Sequence, residues 1–258
     1  MEFQETGVRI KYALWALLGG ALSGCSLIPA DTFTLQTDMP PNFQLKADAY
    51  YVPATGEACT VPPRKRGYVP DRKIFTSEPQ SSAHTAVFNI PLTARVGDCP
   101  LVLKSVKLDV EGRWGPNKFN LDSDYASLSF RDGTSNLKPQ VFNGECKWLF
   151  RTMGPYRYIV KILQCRAVDG QGKVVERLAG GILRRDSLAG KTVKLAFKVA
   201  IEEEPYYDDA WLKTPKGWKP CTGRWGTNNE EYCTTPPQFT DFKMPDGRSC
   251  TAYPNCSE

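Results

Sequence analysis

Thr192 to Ile201 reads TVKLAFKVAI, and its alternation decides the fold. Val193, Leu195, Phe197, Val199 and Ile201 fall in one phase, against Thr192, Lys194, Ala196, Lys198 and Ala200 in the other. A period of two over ten residues is a strand with one face in a core and the other largely in water. Working back from it, Lys173 to Leu183 is ambiguous, because Gly180-Gly181 argues against a helix there. Glu145–Phe150 and Tyr156–Ala167 read as antiparallel strands around Met153-Gly154-Pro155, with a further turn at Asp169-Gly170. Tyr125–Phe130 ends at the turn pair Asp132-Gly133. Pro100–Val110 carries Leu101 and Leu103 in one phase and Val106, Leu108 and Val110 in the other, a slip near Lys104-Ser105 of the kind a β-bulge makes. Thr85–Leu92 contains Pro91, which predicts an edge strand or places the strand's end there, and Ala47–Pro53 is a short strand closed by Thr55-Gly56. About seven short strands and scarcely any 3.6-residue period predict a mainly β protein. The expected architecture is an antiparallel β-sandwich, Ig-like or related, over residues 47–201.

Beyond Ile201 the composition changes. Residues 202–258 open on an acidic, aromatic run and continue with Pro, Gly, Asn and four cysteines. They predict a disulfide-stapled, loop-rich extension packed on the sandwich.

The other end of the chain predicts location. Arg9 and Lys11 precede an apolar run from Tyr12 to Gly24, too short to span a bilayer, which takes about 20 helical residues; residues 1–24 therefore read as an export signal. Leu22-Ser23-Gly24-Cys25 resembles the lipobox of bacterial lipoproteins. That resemblance implies cleavage before Cys25, acylation of Cys25 (a palmitate-type lipid) and a membrane-held protein. Ser26, where an Asp would favour the inner membrane, implies the outer membrane with the protein facing the periplasm. Residues 25–46, polar with Pro40-Pro41, read as a tether.

An oxidising compartment agrees with the cysteines. Nine are present; setting Cys25 aside leaves Cys59, Cys99, Cys146, Cys165, Cys221, Cys233, Cys250 and Cys256, an even set compatible with four disulfides among about 105 pairings. Cys59 with Cys99 and Cys146 with Cys165 each flank a strand pair and are the expected partners, the remaining four pairing among themselves. No CxxC or His-rich spacing suggests a metal, and no cofactor is expected.

The formal net charge is +5, too thin a basic footprint for nucleic acid. The densest basic segment, Cys59 to Ser82 with Arg64, Lys65, Arg66, Arg72 and Lys73, reads as a solvated loop, its alternative being contact with phosphates or an acidic partner. Catalytic signals are few. His84 is the one histidine, no Gly-x-Ser-x-Gly surrounds a serine, and no phosphate or dinucleotide fingerprint occurs. Carboxylates are plentiful, but spacing nominates no acid/base pair. An enzyme is not expected. Candidate partner-binding residues are Tyr206, Tyr207 and Trp211, since Tyr and Trp are enriched at interfaces, with Glu202, Glu203, Glu204, Asp208 and Asp209 steering a basic partner. The alternative is that these aromatics pack the extension onto the sandwich.

Tyr51 to Cys59 (YVPATGEAC) and Ile90 to Leu103 (IPLTARVGDCPLVL) resemble proteobacterial lipoproteins encoded beside type VI secretion genes, over roughly Tyr50 to Phe130. Those lipoproteins are presumed immunity partners of lipase or phospholipase effectors. The resemblance implies a membrane-anchored periplasmic immunity protein that neutralises a lipolytic effector by occlusion, the immunity half of a toxin–antitoxin pair. The alternatives are a structural or accessory envelope lipoprotein, and a carboxylate enzyme acting on cell-wall glycans.

Overall fold

A computed structural model describes residues 31–63, 65, 71–133, 141–222 and 233–256. The signal segment, Cys25, Ser26, and Arg64 and Arg66 of the basic segment lie outside them.

The chain forms a two-sheet, sandwich-like β fold. One sheet is nine-stranded, ordered β17 (Ser249–Cys250), β16 (Phe242–Lys243), β9 (Tyr158–Val168), β8 (Val141–Met153), β12 (Thr192–Val199), β1 (Thr32–Met39) and β4 (His84–Pro91); β10 (Val174–Val175) adds to β9 and β13 (Glu204–Pro205) to β8. The opposing six-stranded sheet runs β11 (Ala179–Arg184), β7 (Leu121–Arg131), β6 (Cys99–Arg113), β2 (Phe43–Pro53) and β3 (Arg72–Thr76), with β5 (Thr93–Val96) on β6. A separate ribbon joins β14 (Trp211–Thr214) to β15 (Gly217–Pro220).

The alternation in β12 positions it at the centre of the larger sheet. Val193, Leu195 and Phe197 are buried while Lys194 and Lys198 face water. Its neighbours β1 and β8 both run parallel to it, and β11 runs parallel to β7, so the sandwich is mixed where a wholly antiparallel one was expected. Parallel neighbours require crossovers, and the ambiguous segment 173–183 supplies one: β10 pairs with β9 in one sheet and β11 with β7 in the other. Gly180 makes the approach possible. It has φ +104°, and a Cβ there would collide with the Ser127 carbonyl oxygen. The strand β12 stops at Val199, so Ile201, expected on the core face, is fully exposed; Ala200 donates its N–H to Cys146 and the chain then turns away.

Residues 32–46 are not a tether. Thr32–Met39 alternates as T-F-T-L-Q-T-D-M, burying Phe33, Leu35, Thr37 and Met39. Pro40-Pro41 and Asn42, with φ 64°, make the turn that carries the chain from β1 across to β2. That strand begins at Phe43, also buried. The apolar residues are few but every second one, which is all a half-buried strand needs.

Other expectations hold. The edge strand at Pro91 is β4, outermost in its sheet. Tyr50 pairs with Ser105 and Tyr51 with Leu103, leaving Lys104 as the bulged residue; the bulge lets both apolar phases of β6 reach the core.

Both expected disulfides are present. Cys59–Cys99 ties the loop after β2 to the start of β6, and Cys146–Cys165 joins directly paired residues of β8 and β9. The other four cysteines pair as Cys221–Cys233 and Cys250–Cys256. The hairpin β8–β9 serves two cores. Cys146, Trp148, Leu163 and Cys165 belong to the sandwich core, whereas Phe150 and Ile159, nearer its tip, belong to a second core with Ala210, Trp211, Phe242, Cys250 and Tyr253. The C-terminal extension therefore adds strands to the larger sheet and has an interior of its own.

Candidate functional site

The elements around the tip of β8–β9 enclose a concavity. Its floor is Ile159 and Lys161 of β9, one wall is the segment Trp114 to Asn117 between β6 and β7, and the facing wall is Met244 to Asp246 with Tyr253 and Pro254. The cleft holds about 570 Å³. A second hollow of about 470 Å³ shares Lys161, Tyr253 and Pro254 and continues past Glu203 to Lys213 and Trp218.

Lys161 is the hub. Its Nζ pairs with Glu203 at 2.6 Å and lies 5.6 Å from the Trp114 ring centre and 5.7 Å from that of Tyr253. Tyr253 donates its hydroxyl to the other Glu203 oxygen. Burial, and then the negative charge of Glu203, push the Tyr253 phenol well above its ordinary range. A cation over two aromatic faces, neutralised by one carboxylate, locks the extension to the sandwich.

The structure divides the expected contact residues into two groups. Each glutamate of the acidic run has its own lysine: Glu202 with Lys213 at 3.6 Å, Glu203 with Lys161, and Glu204 with Lys147 at 2.9 Å. The run ties elements together through these pairs, with Glu203 half-buried and Glu202 and Glu204 exposed beside Asp208 and Asp209. Trp211 is not a surface contact. It is 2% exposed and packs edge-to-face on Phe150 at 4.9 Å and against Phe242 at 5.6 Å, because β14 carries its side chain into the second core. Tyr206 and Tyr207 are outside. They stack edge-on at 4.7 Å, 42% and 38% exposed, and the Arg151 guanidinium lies 5.5 Å from the Tyr206 ring.

The sequence reading missed the residues beside them. Met153, Tyr156 and Tyr158 at the hairpin tip are 55%, 68% and 40% exposed. The two tyrosines make an edge contact at 6.5 Å, and Lys243 lies over both rings. A signal was available in Met-Gly-Pro-Tyr-Arg-Tyr: aromatics in a tight turn lie past the paired strands that could bury them.

Asp48, Asp122 and Asp124 are carboxylates engaged structurally. Asp122 accepts the backbone N–H of Leu163, and Asp124 that of Cys165 together with Arg166. Asp48 pairs with Arg72 and Lys46. His84 sits at the start of β4, its ring nitrogen 3.3 Å from the Ser82 carbonyl. Among the described residues no group of three or more His, Cys, Asp or Glu could hold a metal. The arrangement suits recognition: rigid aromatics with two χ angles lose little entropy on contact, and cations already stacked on them present polar edges. No family model, no curated protein and no solved structure matches this chain.

Proposed function

We propose that this protein is a membrane-anchored periplasmic immunity protein, held in the outer membrane by a lipid on Cys25, that neutralises a lipolytic effector of the type VI secretion kind by binding and occluding it. The observation that carries the reading is the tip platform: Met153, Tyr156, Tyr158, Tyr206 and Tyr207 are exposed, with the half-buried Arg151 against the Tyr206 ring and the half-buried Lys243 against those of Tyr156 and Tyr158. Clusters of Tyr with Arg are the composition of interface hot spots.

Its placement fits the role. Through the parallel register Val141 is level with Lys194 and Gln36, and Met153 lies twelve residues further along β8. At about 3.3 Å per residue the platform stands on the order of 50 Å along the strands from Thr32, where the chain enters the fold. A lipid at Cys25 would thus attach far from the platform and leave that surface open to the effector. Four disulfides keep that surface preorganised, and preorganisation reduces the ordering cost of tight binding.

The test is capture from the native organism with the exported Cys25→Ser form as bait, followed by an activity assay on what is retained. A lipase-like protein at near-stoichiometric yield, inactive in the complex and released by Tyr156→Ala with Tyr206→Ala, is the expected result. Recovery of secretion-machinery or envelope subunits without a lipolytic protein would replace the reading by an accessory structural role.

A further inference from the structure

Sheet edges expose unpaired backbone groups, and folded proteins protect them with charge, brevity or cover. Most edges here are protected. Along β9 the unpaired Leu163 and Cys165 N–H groups are capped by Asp122 and Asp124. The edge strand β3 carries Arg72 and Lys73, β11 ends on Arg184, and β17 has two residues.

The exception is β4. Its eight residues, HTAVFNIP, contain no Lys, Arg, Asp or Glu. The direction of its free groups follows from two bonds. Thr34 donates its N–H to Lys191, on the β12 side, and Leu92 donates to Asp31 of the β1 segment. Thr34 therefore turns its backbone away from β4, and its register partner Asn89 turns away from β1. By alternation Thr85, Val87 and Asn89 present N–H and C=O to the open edge, while Ala86, Phe88 and Ile90 bond to β1 and bury their side chains. Pro91 falls on the outward set, where its missing N–H takes nothing from the sheet. The Tyr51 hydroxyl donates to the Pro91 carbonyl at 2.9 Å at the far end of this edge; among the described residues no other backbone group bonds to the N–H and C=O of Thr85, Val87 and Asn89.

We infer that β4 is a self-association surface, pairing antiparallel with β4 of a second copy about a two-fold axis through Val87. The side chains support this occupant. Centring on Val87 sets valine against valine, a β-branched pair on a 56% exposed site, and sets Thr85 opposite Asn89 on both sides. Those two are complementary as they stand. Thr85 donates its hydroxyl to Asp38 and can still accept; Asn89 accepts from Thr34 through its amide oxygen and can still donate through its nitrogen. The pairing forms six backbone hydrogen bonds through residues 85, 87 and 89, and Pro91 ends the ladder. It is isologous and closes at two. It places the two Thr32 positions eight residues, about 27 Å, apart along the strands. Seven residues of chain back to Cys25 reach about 25 Å from each, so one membrane could hold both copies.

The experiment is sedimentation equilibrium of the exported Cys25→Ser chain over a wide concentration range, with amide hydrogen exchange read at Val87 and Asn89. A reversible monomer–dimer equilibrium is expected, with both amides exchanging fast when dilute and slowly when concentrated. Val87→Lys should weaken the dimer at least tenfold without changing the thermal midpoint measured at dilutions where the chain is monomeric, and Thr85→Lys is a second probe of the same edge. A single-chain mass throughout with fast amides overturns the inference. So does a dimer undiminished by either lysine, which would use another face. Protection that appears only on adding a captured effector would assign the edge to a partner's strand, and equally removes self-pairing.

Discussion

The Asp124 carboxylate on β7 accepts the backbone N–H of Cys165 on β9 at 2.7 Å, so a side chain of one sheet completes the hydrogen bonding of the other. Arg166 donates to the same oxygen at 3.1 Å, and Asp122 repeats the arrangement at Leu163. Asp124→Ala leaves the Cys165 N–H and the Arg166 guanidinium without this acceptor. Bonds to a charged partner contribute about 1.5–3 kcal/mol each, so the substitution should cost about 2–3 kcal/mol, read as a lower urea midpoint at unchanged slope. A cost below about 0.5 kcal/mol, the range of ordinary surface changes, would mean that the bond does not join the sheets.

Four disulfides engage eight of the nine cysteines, so the Cys25→Ser chain denatured without reductant should show no free thiol by thiol titration. Their removal should not be equivalent. Cys146→Ser with Cys165→Ser opens a loop of sequence separation 19 inside the sandwich core and should cost about 3 kcal/mol in the chain-entropy picture. Cys250→Ser with Cys256→Ser opens a separation of 6 next to Tyr253. It should loosen the cleft wall, seen as faster amide exchange at Ala252 and Tyr253, while the sandwich amides hold.

Alkaline pH should act through Tyr253. Its phenol is raised in the folded protein by burial and by Glu203. Above about pH 10 the unfolded chain therefore loses that proton while the folded chain keeps it. Stability is complete below pH 10 and falls as pH rises beyond it, by at most about 1.4 kcal/mol per unit for this group. Burial shifts Tyr51 the same way, so the wild-type decline has two contributors. Tyr253→Phe should flatten the slope between pH 10 and 11 in denaturant titrations; an unchanged slope would place the phenol in contact with water.

What could be read in advance follows the range of the forces concerned. The alternation of β12, the bulge at Lys104 and the edge position set by Pro91 are local properties, legible because each is written within one strand. The Cys146–Cys165 pair was legible once the hairpin was. The parallel neighbours of β12 and the second core depend on contacts between segments far apart in the chain, such as Trp211 on Phe150 or Glu203 on Lys161, and no local pattern announces them. Thr32–Met39 was a different failure. Its period was present, but its low apolar content and the Pro40-Pro41 that follows resemble a linker, although those prolines make the turn between sheets. The platform was half legible: Tyr206 and Tyr207 stood out by composition, whereas Met153, Tyr156 and Tyr158 became a group only when the hairpin folded.

The contrast between Trp211 and Tyr206, five residues apart, separates packing from recognition. Trp211 fills the second core against Phe150 and Phe242, so Trp211→Ala should cost about 3–5 kcal/mol and release the extension, exposing Phe150 and Ile159. Tyr206 touches solvent, Tyr207 and Arg151; Tyr206→Ala should move stability by about 0.5 kcal/mol or less. Binding should invert the order of importance. Tyr206→Ala combined with Tyr156→Ala should weaken the captured complex by about two orders of magnitude, as loss of hot-spot aromatics does, mainly through faster dissociation. Trp211→Phe, which keeps an aromatic in the core, should bind almost as the wild type does. If Tyr206→Ala with Tyr156→Ala bound unchanged while Trp211→Phe lost binding, the extension's interior and not the tip would govern recognition. The cleft walled by Trp114 and Tyr253 would then be the surface to map next.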